Sequence, residues 1–138
     1  MRAIVSLCFA LLSIVHATTV AQGAAGQSAC GRDGNQSDIN ACSEYRFKQA
    51  DAKMNSLHLA KLSQLGGPAQ RRLRESQRAW VTYRDAACYY ESEMKLKQSE
   101  SHATTGPMVL FSCLKALTKQ RTETLEQYRN CTQNGCPE

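Results

Sequence analysis

Apolar positions along the chain form one short, nearly unbroken run, followed by three long stretches in which they recur every three or four residues. The run extends from Ile4 to Val15 and is broken only by Ser6 and Ser13. Met1-Arg2 precedes it, and the small residues Ala17, Ala21, Ala24 and Ala25 follow it. A positive start, a brief apolar segment and a small-residue exit describe a secretory signal peptide. The run falls short of the roughly 20 apolar residues needed to span a bilayer. Cleavage after Ala17 or after Ala21 fits the pattern, and we assign 1–21 to the signal. Neither Cys8, which follows Leu7, nor Cys30, preceded by Gln27-Ser28-Ala29, has the setting of a lipid-modified cysteine. The expectation is a soluble exported protein, periplasmic or secreted, that is not integral to a membrane.

Beyond an irregular lead-in (22–36), the first periodic stretch carries Ile39, Cys42, Tyr45, Ala50, Met54, Leu57 and Leu65 at the spacing of one helical face. Ser37 or Asp38 is expected to cap it, because a short polar side chain there can accept from free backbone N–H groups. Gly66-Gly67-Pro68 should end it, with Gly66 in the left-handed position after the helix and Pro68 at the start of the next. The second stretch, Pro68 to about Gln98, turns Leu73, Gln77, Trp80, Arg84 and Cys88 to one side. Ser99 to Gly106 reads as a loop. A third helix is expected from Pro107 to about Tyr128, with Leu110, Leu114, Leu117, Leu125 and Tyr128 inward. No strand alternation appears. The fold class is therefore all-α, a three-helix up-down bundle over 37–129, closed by a tail at 130–138. The short first turn should make helices one and two antiparallel neighbours.

Cysteine usage adds covalent support to this outline. The chain encodes seven cysteines, and Cys8 leaves with the signal. Cys30, Cys42, Cys88, Cys113, Cys131 and Cys136 remain, an even set suited to disulfides in an exported chain. Each bridge typically contributes about 2–4 kcal/mol. A local Cys131–Cys136 bridge is expected around the turn-forming Asn134-Gly135. The other four leave two pairings open: Cys42–Cys88 with Cys30–Cys113, or Cys30–Cys42 with Cys88–Cys113. With a rise of about 1.5 Å per residue, Cys42 and Cys88 lie at similar heights above the first turn.

Charge and side-chain inventory exclude more than they assign. The chain has 17 Lys and Arg against 12 Asp and Glu, a formal charge of +5 that signal removal lowers by the single Arg2. The surplus is scattered except at Arg71-Arg72-Leu73-Arg74, an amphipathic spacing that suits a solvated helix face. Export argues against nucleic acid as a partner. No Cys-x-x-Cys pair occurs, and His16, His58 and His102 stand apart, so neither a metal site nor dithiol redox chemistry is indicated. No catalytic residue and no cofactor is assigned: Glu91 and Glu93 point to different sides of a helix, bridged cysteines cannot act as nucleophiles, and no phosphate-binding glycine loop is present.

The most specific segment is Gln77-Arg78-Ala79-Trp80-Val81-Thr82-Tyr83-Arg84-Asp85-Ala86-Ala87-Cys88. It resembles the Gln-x-x-Trp-x-x-x-Arg-Asp-x-x-Cys helix of the LprI-like lysozyme-inhibitor family. The resemblance extends upstream through Cys30, Cys42 and Ala50-Asp51-Ala52-Lys53-Met54-Asn55, and downstream through Cys113-Leu114, Thr118, Arg121 and Leu125. Met54 stands where the family usually has leucine, a swap that cores tolerate. His58 replaces a tyrosine, Thr105-Gly106-Pro107 is a reduced form of a Gly-Gly-Ser element, and the Cys131/Cys136 pair is an addition.

Physically, Gln77, Trp80 and Arg84 share a stripe that Asp51 and Asn55 can face from the first helix and Arg121 from the third. A partly buried arginine needs a carboxylate or carbonyl partner. Asp51 or Asp85 can serve, in a planar two-point contact with Arg84 or Arg121. The expectation is a structural polar network of Asp51, Asn55, Gln77, Trp80, Arg84, Asp85 and Arg121 that fixes helix register. The resemblance implies a protein partner, a lysozyme or another peptidoglycan-cleaving enzyme, blocked by steric occlusion, with no catalysis by the chain itself. The polar segment around His102, Thr104, Thr105 and Gly106 is the candidate partner-binding loop. Competing expectations are an immunity protein against an envelope-targeting toxin, and a structural envelope protein that binds peptidoglycan or anionic polymer.

Overall fold

The computed structural model describes residues 27–28, 30–31, 34–97, 102–131 and 135–136. The signal peptide assigned to 1–21 lies outside the described residues. Among the described residues three long helices make up the fold: α1, Gln36–Leu62; α2, Gly67–Lys97; and α3, His102–Asn130. No strand occurs among the described residues, and none of their helices is long and apolar enough to cross a membrane.

The direction of each helix follows from its cross-links. Asp51 of α1 meets Arg84 of α2, and Met54 meets Gln77, so α1 and α2 run antiparallel. Cys88 meets Cys113, Arg84 meets Thr118 and Gln77 meets Arg121, so α2 and α3 are antiparallel as well. The result is the expected up-down-up bundle. Neighbourhood differs from expectation: α3 lies against both other helices and most extensively against α1, whereas the α1 and α2 backbones hardly approach one another. Long polar side chains span the α1–α2 gap.

Local signals at the helix ends were partly misread. Asn35, not Ser37 or Asp38, caps α1, its side-chain oxygen accepting from the Asp38 N–H at 3.1 Å. Helix α1 ends at Leu62, and Gly66 is not left-handed; Gly135 has the one positive glycine φ among the described residues. A different device closes this end. The Gln70 amide donates to the Leu62 and Leu65 carbonyls at 3.1 and 2.9 Å, satisfying acceptors that a helix C-terminus leaves free. Ser63, Gln64 and Leu65 N–H groups bond back to Leu59, Lys61 and Leu62.

The loop expected up to Gly106 is also corrected. Helix α3 begins at His102 and carries Pro107 inside it. Pro107 lacks the N–H that would reach the carbonyl four residues back, but the lost bond lies near the helix start, where little else depends on it. The apolar residues that follow are already committed to the bundle, and packing overrides the weak helix propensity of Gly106 and Pro107.

The apolar core is small: Met54, Leu57 and Leu125, with Leu73, Trp80 and Tyr128 packed around them. Leu114, Cys42 and Cys88 are also buried. Ile39, expected inside, is 41% exposed. Much of the remaining interior is polar, comprising Lys61, Gln77, Arg84, Ser92, Thr118, Arg121 and Thr122. Among the described residues there are three disulfides, Cys30–Cys42, Cys88–Cys113 and Cys131–Cys136, of which Cys88–Cys113 joins two of the helices. The alternative with Cys42–Cys88 is ruled out, in keeping with the distance between the α1 and α2 backbones.

Candidate functional site

All seven residues of the expected network fall in or beside the bundle interior, brought together by matching stripes on the three helices. On α2, Gln77, Trp80, Arg84 and Cys88 follow each other at three- and four-residue steps. On α1 the facing stripe is Phe47, Asp51, Met54, His58 and Lys61, and on α3 it is Phe111, Leu114, Thr118, Arg121 and Leu125. Polar residues within otherwise apolar spacing are the sequence signal for such an interior.

Arg84 is the centre of one half. Its Nη1 donates to Asp51 Oδ1 at 2.8 Å and to Thr118 Oγ1 at 3.3 Å, while Nε donates to Asp85 Oδ1 at 2.8 Å. The guanidinium therefore uses two carboxylates, one on each of two helices, and not the single two-point contact expected. Asp51 Oδ2 accepts from Asn55 Nδ2 at 2.9 Å, which fixes its orientation. The Arg84 Cζ lies 5.3 Å from the Phe47 ring centre and 5.2 Å from that of Trp80, so aromatic faces cover the cation where water would otherwise be. Phe47 in turn stacks on Phe111, with centroids 6.0 Å apart.

Arg121 occupies the other half on different terms. Its Nε donates to Gln77 Oε1 at 3.0 Å and its Nη2 to Ser76 Oγ at 3.4 Å. Gln77 passes the chain on, its Nε2 donating to Met54 Sδ at 3.4 Å. The Arg121 Cζ also lies over Trp80, 5.9 Å from the ring centre. Among the described residues no carboxylate pairs with this arginine; a neutral amide, a hydroxyl and an aromatic ring take that place.

His58 stands close to this second arginine. Burial lowers its pKa below 6.5, and the nearby positive charges of Arg121 and Arg74 lower it further, against a smaller opposing effect of the Leu73 backbone. Its Nε2 is enclosed without a hydrogen-bond partner. A neutral ring suits these surroundings, since an added proton would bring both a third positive charge and an unmet donor.

Sequence reasoning missed Phe47, Phe111 and Ser76 as members, and it put Leu117 where Thr118 is the fully buried residue. The step of three or four from Leu114 to Thr118 to Arg121 carried that signal. His102, Thr104, Thr105 and Gly106 form the opening of α3, and the side chains of His102 and Thr104 lie outside the described part. Among the described residues no group of three or more His, Cys, Asp or Glu could hold a metal ion.

The surface of α2 away from the bundle has a different character. Tyr83, Tyr89 and Tyr90 are 61%, 60% and 67% exposed. Tyr83 and Tyr90, seven residues apart, share one line along the helix, about 10 Å apart by helical rise.

Such an arrangement defines a small disulfide-braced helical bundle with a charged interior bonded to itself. A family model described as lysozyme inhibitor LprI matches residues 27–125, and the chain belongs to that family. An uncharacterised protein of Rhizobium meliloti (strain 1021) is 26% identical over 139 residues, covering 91% of this chain and 96% of the relative. No solved structure matches.

Proposed function

We propose that the protein is an exported inhibitor that binds a lysozyme or related peptidoglycan-cleaving enzyme and occludes its substrate cleft, with no chemistry of its own. Family membership supports the class of target, and the signal-like residues 1–21 support export. The observation within this chain that carries the reading is the row of exposed tyrosines on α2. Tyrosine is enriched where proteins grip one another, because it offers large contact area at low entropic cost and a polar tip. Arg84 and Arg121, by contrast, are engaged within the bundle: each of their side-chain nitrogens described above meets an acceptor of the bundle itself.

Tyr89 and Tyr90 follow Cys88, and Cys88 is bridged to Cys113. That bridge places this part of α2 towards the end of the bundle where α3 begins. His102, Thr104, Thr105 and Gly106 therefore form the second segment we assign to the partner surface, now as a helix start and not as a loop.

The test is a titration of the oxidised chain into a peptidoglycan-clearing assay with lysozymes of several types. The expected outcome is activity falling in proportion to added protein and ending near equimolar ratio for at least one type. Full activity at large molar excess against every type would overturn the reading. Tyr83→Ser with Tyr90→Ser should weaken inhibition while preserving the helical signal, because serine and tyrosine have similar helix propensity.

A further inference from the structure

The turn end of the bundle holds a cleft that the inhibitor reading does not use. It has a volume of about 210 Å³ and is lined by Lys61, Leu65, Ala69, Arg72, Leu73, Ser76 and Tyr128. Two of these side chains are cations and no carboxylate lines the cleft. Lys61 is only 7% exposed, yet among the described residues neither it nor Arg72 has an ion-pair partner, in contrast to Lys48, Lys53 and Lys95. A largely enclosed lysine with no opposite charge beside it is costly. The C-terminal carbonyls of α1 offset part of that cost, Lys61 being in the last turn, but the Gln70 amide already occupies two acceptors of this end, the Leu62 and Leu65 carbonyls.

The remaining walls add to the anion preference. Ala69 belongs to the first turn of α2, where backbone N–H groups have no helical acceptor and the helix dipole is positive. Ser76, which lines the cleft, accepts from the Arg121 guanidinium, so a third cation stands one hydrogen bond away. Leu65, Ala69 and Leu73 supply an apolar floor. The volume lies below the roughly 300–1,000 Å³ of sites that take drug-sized ligands, so the fitting group is small.

We propose that this cleft binds the free C-terminal carboxylate of a short peptide ending in a small apolar residue. Lys61 and Arg72 hold the carboxylate, Ser76 and Tyr128 offer hydroxyls beside it, and the terminal side chain rests on Leu65, Ala69 and Leu73. This site is independent of the tyrosine face, so the lysozyme assay and the binding test below fail separately.

The experiment is an amide chemical-shift titration of the oxidised, ¹⁵N-labelled protein with N-acetylalanine. N-acetylalaninamide is the uncharged control and inorganic phosphate the plain-anion control. Saturable shifts at Ala69, Ser76 and Tyr128 are expected with the acid, with the amide and phosphate weaker by about tenfold or more, a difference of about 1.4 kcal/mol. Lys61→Met keeps the length of the side chain and removes its charge; it should weaken acid binding by a similar factor without lowering the melting temperature. Arg72→Gln, at an exposed position, should weaken binding in a chain whose fold is not in question. Equal binding of acid and amide, phosphate binding as tightly as the acid, or unchanged acid binding in both variants would each overturn the proposal.

Discussion

Arg84 and Arg121 are both buried, both lie beside Trp80, and each ties α2 to α3. Arg84 is matched by Asp51 and Asp85, whereas Arg121 has a glutamine, a serine and an aromatic face. Near Arg84 the cation is met by two carboxylates within hydrogen-bonding distance, and the disulfide at Cys88, one turn further along, locks that part of α2 to α3. Near Arg121 stands His58, which also feels the charge of Arg74, and Ser76, which Arg121 bonds, lines the cleft together with Lys61 and Arg72. One region is electrically closed and covalently braced, and the other carries a surplus of positive charge. The difference separates what holds the helices in register from what leaves the bundle open to an anion.

The largest effect should come from the brace of the closed half. Replacing Cys88 and Cys113 by alanine opens a loop whose ends are 25 residues apart, which is worth about 3–4 kcal/mol in urea unfolding on the loop-entropy account. Removing Cys131 and Cys136 should cost less, at most about 2 kcal/mol on the same account, since that bridge closes a short loop beyond α3 and crosses no helix interface. Equal losses in the two variants would break the comparison.

Next in size is Asp51→Ala, which strips Arg84 of its partner on α1. Breaking a buried pair by removing one member costs about 3–5 kcal/mol, and with Asp51 32% exposed and Asp85 still in place we expect about 2–3 kcal/mol. Arg84→Met should cost less than Asp51→Ala, because the two carboxylates it leaves behind can be hydrated where they stand. Denaturant midpoints for the two variants check the order. Thr118→Val, which deletes the hydroxyl accepting from Arg84 at a fully buried position, should cost about 1–2 kcal/mol.

The smallest effect belongs to the open half and depends on pH. The folded chain takes up the His58 proton less readily than the unfolded chain, because burial and then Arg121 and Arg74 lower its pKa from 6.5. Stability from this residue is therefore complete above pH 6.5, declines as pH falls through 6.5 towards the lowered folded value, and is level below it. Melting temperatures of the protein and of His58→Gln, compared between about pH 5 and pH 7, should converge at the upper end and diverge in favour of the variant at the lower end. Parallel curves would contradict the environment assigned to His58.

The α2 stripe was readable in advance because Leu73, Gln77, Trp80, Arg84 and Cys88 obey one helical period, and what packs is periodic. Asp51 and Arg121 came from the family resemblance as well as from spacing. What escaped was decided by competition among neighbours. Asn35, Ser37 and Asp38 are all capable caps, and only the path of the chain before α1 selects Asn35. Gly66 offered a left-handed stop, but Gln70 satisfied the α1 carbonyls through its side chain. Thr105-Gly106-Pro107 reads locally as a break, and packing of the residues beyond it carries the helix back to His102. Lys61 sits at a position where periodicity marks the inside and chemistry marks the outside; tertiary burial settles that conflict.

The account assigns the interior to holding the fold and the α2 tyrosines to binding a partner, and one crossed measurement tests that division. Lysozyme inhibition and thermal stability should be read side by side for the oxidised protein, for Asp51→Asn, and for Tyr83→Ser with Tyr90→Ser, all well below their melting temperatures. The account predicts that Asp51→Asn melts earlier yet inhibits as strongly as the original chain, while the tyrosine variant melts at the original temperature and inhibits at least about tenfold more weakly. An Asp51→Asn protein that is fully folded but inactive, beside a tyrosine variant that inhibits normally, would contradict it.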